Sequence, residues 1–207
     1  MIHLHDNISR ARWIQSLPIP FTNFPAIDTR SSSRSQYDDL LSPEAKSAVE
    51  YADRTGYKYD WTYMTRGAIG CYLSHVSLWS NIAPDPFRII LEDDVQLLPA
   101  YSLHHMNLLI LNAPQDWDIL LFSYKLRKRS EITYDTYQPV TSFFGLQFYV
   151  IRQHVINKLT LFPIRKQIDT VLSEAGLRIY AIYPPLAATN YDLPTTVQLP
   201  IKKMSSA

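Results

Sequence analysis

Glycine is scarce in this chain, with five residues in 207, about a third of the ~7% usual for globular proteins. Neither G-x-G-x-x-G nor G-x-x-x-x-G-K-S/T occurs, so dinucleotide-binding and P-loop readings lose their main support. The single cysteine, Cys71, excludes an internal disulfide and a cysteine-built zinc site, and it fits a reducing compartment. Net charge is only +1, too little for a whole-protein field that would draw nucleic acid or an anionic membrane. The longest apolar stretch, around FFGLQFYVI, falls far short of the ~20 residues of a membrane span. The start, MIHLHDNIS, has neither the basic nor the apolar region of a signal peptide. These absences point to a cytoplasmic protein with no transmembrane segment and no nucleic-acid partner.

What is present is the balance of a soluble globular protein, 46% hydrophobic and 19% charged, at a length that suits a single domain over 1–207. Apolar runs of strand length recur at Met1–Leu4, Phe24–Ile27, Phe87–Leu91, Ile119–Phe122, Phe143–Ile151 and Arg178–Tyr183. Helical periodicity lies between them, at Ile8–Leu17, Pro43–Arg54, Gly67–Ile82, Tyr101–Leu111, Gln153–Phe162 and Lys166–Ala175. The alternation reads as an α/β fold. Ser42 and Pro43 read as a cap and first-turn proline, and Gly176 as a helix stop. In Gly67–Ile82, Ile69, Tyr72, Leu73, Val76 and Trp79 share one face, widened by Cys71, Leu78 and Ile82, so that helix is expected to be buried on most sides. Thr29–Met64 and Ser123–Ser142 read as irregular.

The segment FRIILEDDVQLLP runs an apolar strand into Glu92, Asp93 and Asp94. At strand period Glu92 and Asp94 face one side and Asp93 the other. Adjacent unit charges ~4 Å apart repel by about 4 kcal/mol at an effective dielectric of ~20. A divalent cation would offset that repulsion, and ligand sites of open α/β sheets lie beyond the carboxyl ends of strands. A solvated acidic turn with no ligand is the alternative.

In order along the chain, MTRGAIGCYLSHVSLW, IILEDDV, WDILLF and FFGLQFYVIRQHVINKL resemble family 25 glycosyltransferases, which include bacterial lipooligosaccharide galactosyltransferases and procollagen galactosyltransferases. The likeness extends from IHLHDNISRAR and FPAID at the amino end to PIRKQID and YAIYPPLA. It implies a GT-A-type fold, a mixed central sheet flanked by helices, and inverting transfer of a hexose, galactose or glucose, from a UDP-sugar to a hydroxyl of a glycan or glycoconjugate acceptor. It also implies Mn²⁺ or Mg²⁺, with Asp94 as direct ligand and Glu92 and Asp93 at the ion, its waters or the donor. Asp169 occupies the position of a general base, although an Asp just before a helical stretch also serves as a cap; Asp192 and Asp118 are weaker substitutes.

Arg10, Ser74, His75 and Gln147 fall in the segments that carry the likeness and are nucleotide-sugar-binding candidates. Each has an ordinary alternative: a solvated arginine for Arg10 and its neighbour Arg12, core polar residues for Ser74 and His75, an outward strand position for Gln147. The aromatic cluster Tyr57, Tyr59, Trp61 and Tyr63 suits stacking on uracil or a sugar or plain packing. Lys125, Arg127, Lys128 and Arg129 form a basic run, solvated or facing an anionic acceptor. Ala68 stands where the G-E-I-G-C form of the motif has Glu, Thr29 where Gly is usual, and no histidine follows His154, so a third protein ligand for the metal is unassigned. The rival functions are a non-catalytic sugar-nucleotide or glycan-binding module, a nucleotidyltransferase, and a glycoside hydrolase, which would leave the contiguous acids unexplained.

Overall fold

The computed structural model describes residues 1–201 apart from 5, 61, 81–85, 128–134, 196 and 198. Trp61, Lys128, Arg129 and the Ile82 end of one expected helix lie outside the described residues. The chain opens with β1 (Ile2–His3), α1 (Ile8–Gln15), β2 (Phe24–Pro25), α2 (Pro43–Thr55) and α3 (Arg66–Ser80). It continues through β3 (Phe87–Leu91), β4 (Val95–Leu97), α4 (Leu103–Leu111), β5 (Ile119–Leu121), β6 (Lys125–Leu126), β7 (Tyr137–Val140) and β8 (Phe143–Phe144). It closes with β9 (Phe148–Arg152), α5 (Gln153–Ile156), α6 (Ile168–Glu174), β10 (Ile179–Ile182) and β11 (Ala187–Thr189).

A five-stranded mixed sheet, ordered β3-β9-β5-β10-β7, forms the centre. Its single parallel pair is β5 with β10. Residues alternate between two apolar layers, as strand geometry requires. Ile119, Leu121, Tyr149, Ile151 and Ile179 face one core with α2, α3 and α6. Leu120, Phe122, Phe148, Val150 and Ile182 face another with α1 and α4. This is a mixed sheet flanked by helices, consistent with the GT-A-like fold that the resemblance implies.

Local signals explain most element ends. Ser42 Oγ accepts from Ala45 N at 3.2 Å ahead of Pro43, and Thr65 Oγ1 accepts from Ala68 N at 3.1 Å to cap α3. Ile69, Tyr72, Val76 and Trp79 are buried, and within α3 only Ser80 is exposed. The helix expected over Gln153–Phe162 stops at Ile156. Lys158 N and Leu159 N turn back to carbonyls three residues earlier, and the Leu161 carbonyl accepts from the Tyr72 hydroxyl at 2.6 Å. The strand expected over Phe143–Ile151 divides into β8 and β9 at Gly145, whose φ of +88° bends the chain where a side chain would be strained. The segment read as irregular, Ser123–Ser142, holds β6 and β7.

Candidate active site

β1 and β2 run parallel, and Ile2 bridges to Glu92 in parallel register. The carboxyl ends of β1, β2 and β3 therefore meet at one edge, the place where open α/β sheets bind ligands. A cleft opens there, lined by the Ala26–Arg30 segment, by Gly70, Cys71, Ser74 and His75 of α3, and by Glu92, Asp93 and Asp94. Its volume is about 60 Å³, less than a nucleotide fills, so a nucleotide there would extend over the surface beside it. The helix and the strand-end segment touch closely. A Cβ on Gly70 would stand 2.5 Å from the Ile27 carbonyl and 2.9 Å from Thr29 Oγ1, so only glycine permits this approach. Ser74 stitches the two together, accepting from Ile27 N at 2.8 Å and donating to the Gly70 carbonyl at 2.6 Å. Thr29, where glycine was expected, donates to the Arg66 carbonyl at 2.5 Å.

The three acids form a turn, Val95 N donating to the Glu92 carbonyl at 3.2 Å. Asp93 points inward and is buried. One oxygen meets His3 Nδ1 at 3.0 Å and Leu4 N at 3.1 Å, and the other takes Arg10 Nη1. Arg10, buried as well, reaches Asp94 at 3.4 Å and the Pro194 carbonyl at 3.0 Å. Arg10 and Asp93 thus engage each other in the wall of the cleft, which both line. Arg12 is exposed.

Glu92 and Asp94 border the cleft. His75 is buried, with Nε2 2.9 Å from Glu92 Oε1 and Nδ1 2.8 Å from the Tyr149 hydroxyl. Trp79 Nε1 donates to that same hydroxyl at 3.0 Å. Against an ionised Glu92, one direction uses every hydrogen once: Trp79 to Tyr149, Tyr149 to His75 Nδ1, His75 Nε2 to Glu92. Gln147 approaches the other Glu92 oxygen at 3.4 Å. Asp94 differs, since its Oδ1 is buried without a hydrogen-bond partner. Its carboxyl is pushed up from 3.8 to about 7, first by burial and then by the charge of Glu92, while Arg10 opposes the rise. A buried acceptor without a donor, beside a second carboxylate, suits a cation. Cys71, His75 and Glu92 also offer ligand atoms within 4.8 Å of one another. Burial, with Glu92 next, pushes the Cys71 thiol well above its usual value.

Asp169 sits in the first turn of α6, buried, one oxygen accepting from Thr170 N at 2.6 Å and Thr170 Oγ1 at 3.3 Å, the other from Gly145 N at 3.2 Å. Burial raises its pKa. Gly145, whose N–H it takes, is two residues from Gln147, but Asp169 itself does not line the cleft. The substitutes lie elsewhere. Asp118 is taken by Arg178 N at 2.8 Å and His154 at 3.1 Å, and Asp192 is exposed. Tyr51 stacks on Tyr59 and Tyr63 meets both edge-on, and none of the tyrosines at 57–63 lines the cleft. Ala68 is buried and does not line it either. Sequence reasoning missed His3 and Tyr149, whose roles come only from long-range contacts.

Residues 2–171 match the family described as Glycosyltransferase family 25 (LPS biosynthesis protein). The chain belongs to glycosyltransferase family 25. A Drosophila melanogaster protein named Glycosyltransferase 25 family member is 27% identical over 166 residues, 76% of this chain and 26% of its own length. Mouse Procollagen galactosyltransferase 2 is 34% identical over 83 residues, 37% of this chain and 13% of its own. In Danio rerio, Procollagen galactosyltransferase 1 is 27% identical over 111 residues, 52% and 17%. The family 25 chain thus spans about a quarter or less of these relatives. Among its described residues no helix is long and apolar enough to cross a membrane.

Proposed function

We propose that the protein is a single-domain hexosyltransferase, taking galactose or glucose from a UDP-sugar to a hydroxyl of a glycan or glycoconjugate with inversion. The observation that carries this reading is the unpartnered Asp94 Oδ1 beside Glu92, at the strand edge where a nucleotide diphosphate would bind. Asp94 and Glu92 would hold Mn²⁺ or Mg²⁺. Bound there, the ion supplies a Lewis acid for the charge that grows on the departing diphosphate.

The chain's own residues perform the remaining tasks. Arg10 and His3 fix Asp93 and thereby the turn that presents its two neighbours. His75 and Gln147 orient Glu92. Asp169, a better base than an exposed carboxylate because burial raises its pKa, takes the proton of the acceptor hydroxyl as its oxygen attacks the anomeric carbon. The bond to the diphosphate breaks on the opposite face, which gives inversion.

The test is a panel of UDP-sugars incubated with and without Mn²⁺, reading UDP release. Metal-dependent release from one donor is expected. Tight calorimetric binding of UDP without release from any donor would overturn the transferase in favour of a binding module. Formation of a nucleotide–sugar bond from a sugar phosphate would favour a nucleotidyltransferase.

A further inference from the structure

A second cavity, of about 330 Å³, lies away from the acids, among α2, the Thr62–Met64 segment, Arg127 and the start of α6. It shares no lining residue with the cleft described above. Its wall includes Thr170, whose N–H and hydroxyl both donate to Asp169. Thr170 thus links this cavity to Asp169.

The charges on this second wall are unevenly matched. Lys166 is neutralised, its Nζ lying 2.7 and 2.8 Å from the two oxygens of Glu174. Arg127 is held in place, Nε donating to the Phe143 carbonyl at 3.2 Å, Nη2 to Thr170 Oγ1 at 2.6 Å, and the guanidinium lying 4.1 Å over the Phe144 ring. Its Nη1 has no hydrogen bond among the described residues. Arg165 has neither hydrogen bond nor ion pair among them, yet its backbone is anchored, because the flanking Ile164 pairs with Leu41 through the Leu40 carbonyl and Ser42 N. Two guanidinium groups with donors to spare thus stand here, Arg127 near the buried Asp169 through Thr170 and Arg165 beside only the exposed Glu44. Tyr63 adds an aromatic wall braced by Tyr59 and by Gln167, which donates to the Tyr63 carbonyl at 3.0 Å.

Guanidinium forks match carboxylate and phosphate oxygens in pairs, and aromatic rings pack against the apolar face of a sugar. We propose that this cavity is an acceptor subsite for a negatively charged sugar, one bearing a carboxylate or a phosphate monoester. The proposal rests on the glycosyltransferase reading for the word acceptor, but the anion site is testable without turnover. Held by Arg165 and Arg127, such a sugar would direct a hydroxyl past Thr170 toward Asp169.

The experiment titrates the protein with methyl β-D-glucuronide, D-glucose 6-phosphate and methyl β-D-glucoside, following binding by NMR. A charged sugar is expected to bind at least about tenfold more tightly than the neutral glucoside, as charge-assisted hydrogen bonds imply. The preferred charged sugar distinguishes carboxylate from phosphate. Arg165→Glu should remove the preference and Arg165→Lys should keep part of it. Because Arg165 is exposed, neither change should disturb folding, and a thermal melt checks this. Equal affinity for all three sugars, no binding of any, or an undiminished preference in Arg165→Glu would each overturn the proposal. UDP binding to the unaltered protein, measured in parallel, reports on the donor cleft alone; its failure would count against the transferase reading and leave the anion site standing.

Discussion

His75 is hydrogen-bonded to Glu92, Nε2 to Oε1 at 2.9 Å, so a carboxylate that borders the cleft is aimed from inside the core. Replacing His75 by Leu leaves Glu92 without its orienting donor and the buried Tyr149 hydroxyl without its acceptor. Unmade buried hydrogen bonds cost about 1–3 kcal/mol, which urea denaturation would register. Loss of a group that orients a metal ligand typically lowers affinity by about 10–100-fold. A Mn²⁺ titration giving unchanged affinity in a destabilised variant would remove Glu92 from the proposed metal site.

Asp94 sets a pH dependence. Its carboxyl rises from 3.8 to about 7 through burial and the charge of Glu92. Between those values the folded protein retains a proton that the unfolded chain has released. Its stabilising contribution is therefore complete below pH ~4 and is lost as pH rises to ~7. Asp94→Asn should flatten this decline and, without metal, be the more stable protein at pH 8 by about 1–3 kcal/mol. Added Mn²⁺ should reverse the order there, since metal binding requires the ionised carboxylate. Melting curves at pH 5 and pH 8, with and without Mn²⁺, test this; an unchanged wild-type profile in the variant would contradict it.

Arg10 and Asp93 form a buried pair beneath the same turn. Breaking such a pair from one side costs about 3–5 kcal/mol, because the other charge stays buried. Arg10→Met is expected in that range. Asp93→Asn should cost less, since its one amide oxygen still accepts from His3 and Leu4 N while Arg10, now facing the amide N–H₂, keeps Asp94 and the Pro194 carbonyl. In a double-mutant cycle by chemical denaturation, Arg10→Met with Asp93→Asn should be less destabilised than the sum of the two. Strict additivity would mean that the pair is not coupled.

The sequence exposes the parts of this fold that depend on local pattern, and it hides those made by distant contacts. Ser42 with Pro43, the face of α3 and the apolar run of β3 were readable because capping and periodicity act within a few residues. Strands β4, β6, β7 and β11 were not, being two to four residues long and fixed by their partners. The acid cluster was legible as chemistry, and strand period assigned Asp93 to the opposite side from Glu92. That Arg10 faces Asp93 from 83 positions away, or that Tyr149 sits behind His75, follows only from tertiary packing. Gly70 shows the same limit. Its motif marked it, but the reason it must be glycine is the Ile27 carbonyl against the helix.

In the proposed function the transfer step depends on Asp169. Its two oxygens accept from Gly145 N, Thr170 N and Thr170 Oγ1, so Asp169→Asn keeps one carbonyl acceptor but turns an amide N–H₂ toward a backbone donor. A loss of about 1–3 kcal/mol follows from that mismatch, and denaturation should show it as a modest shift with folding intact. Asp169 does not line the cleft proposed for the donor, so UDP affinity in the presence of Mn²⁺ should be unchanged. Transfer to an acceptor should fall by about 10²–10⁴, the usual contribution of a general base. The pattern that identifies a base is this split, binding kept and turnover lost. Wild-type transfer in a stably folded Asp169→Asn would exclude Asp169. Weakened UDP binding together with lost transfer would make Asp169 a support for the Gly145–Gln147 turn rather than a participant in the reaction.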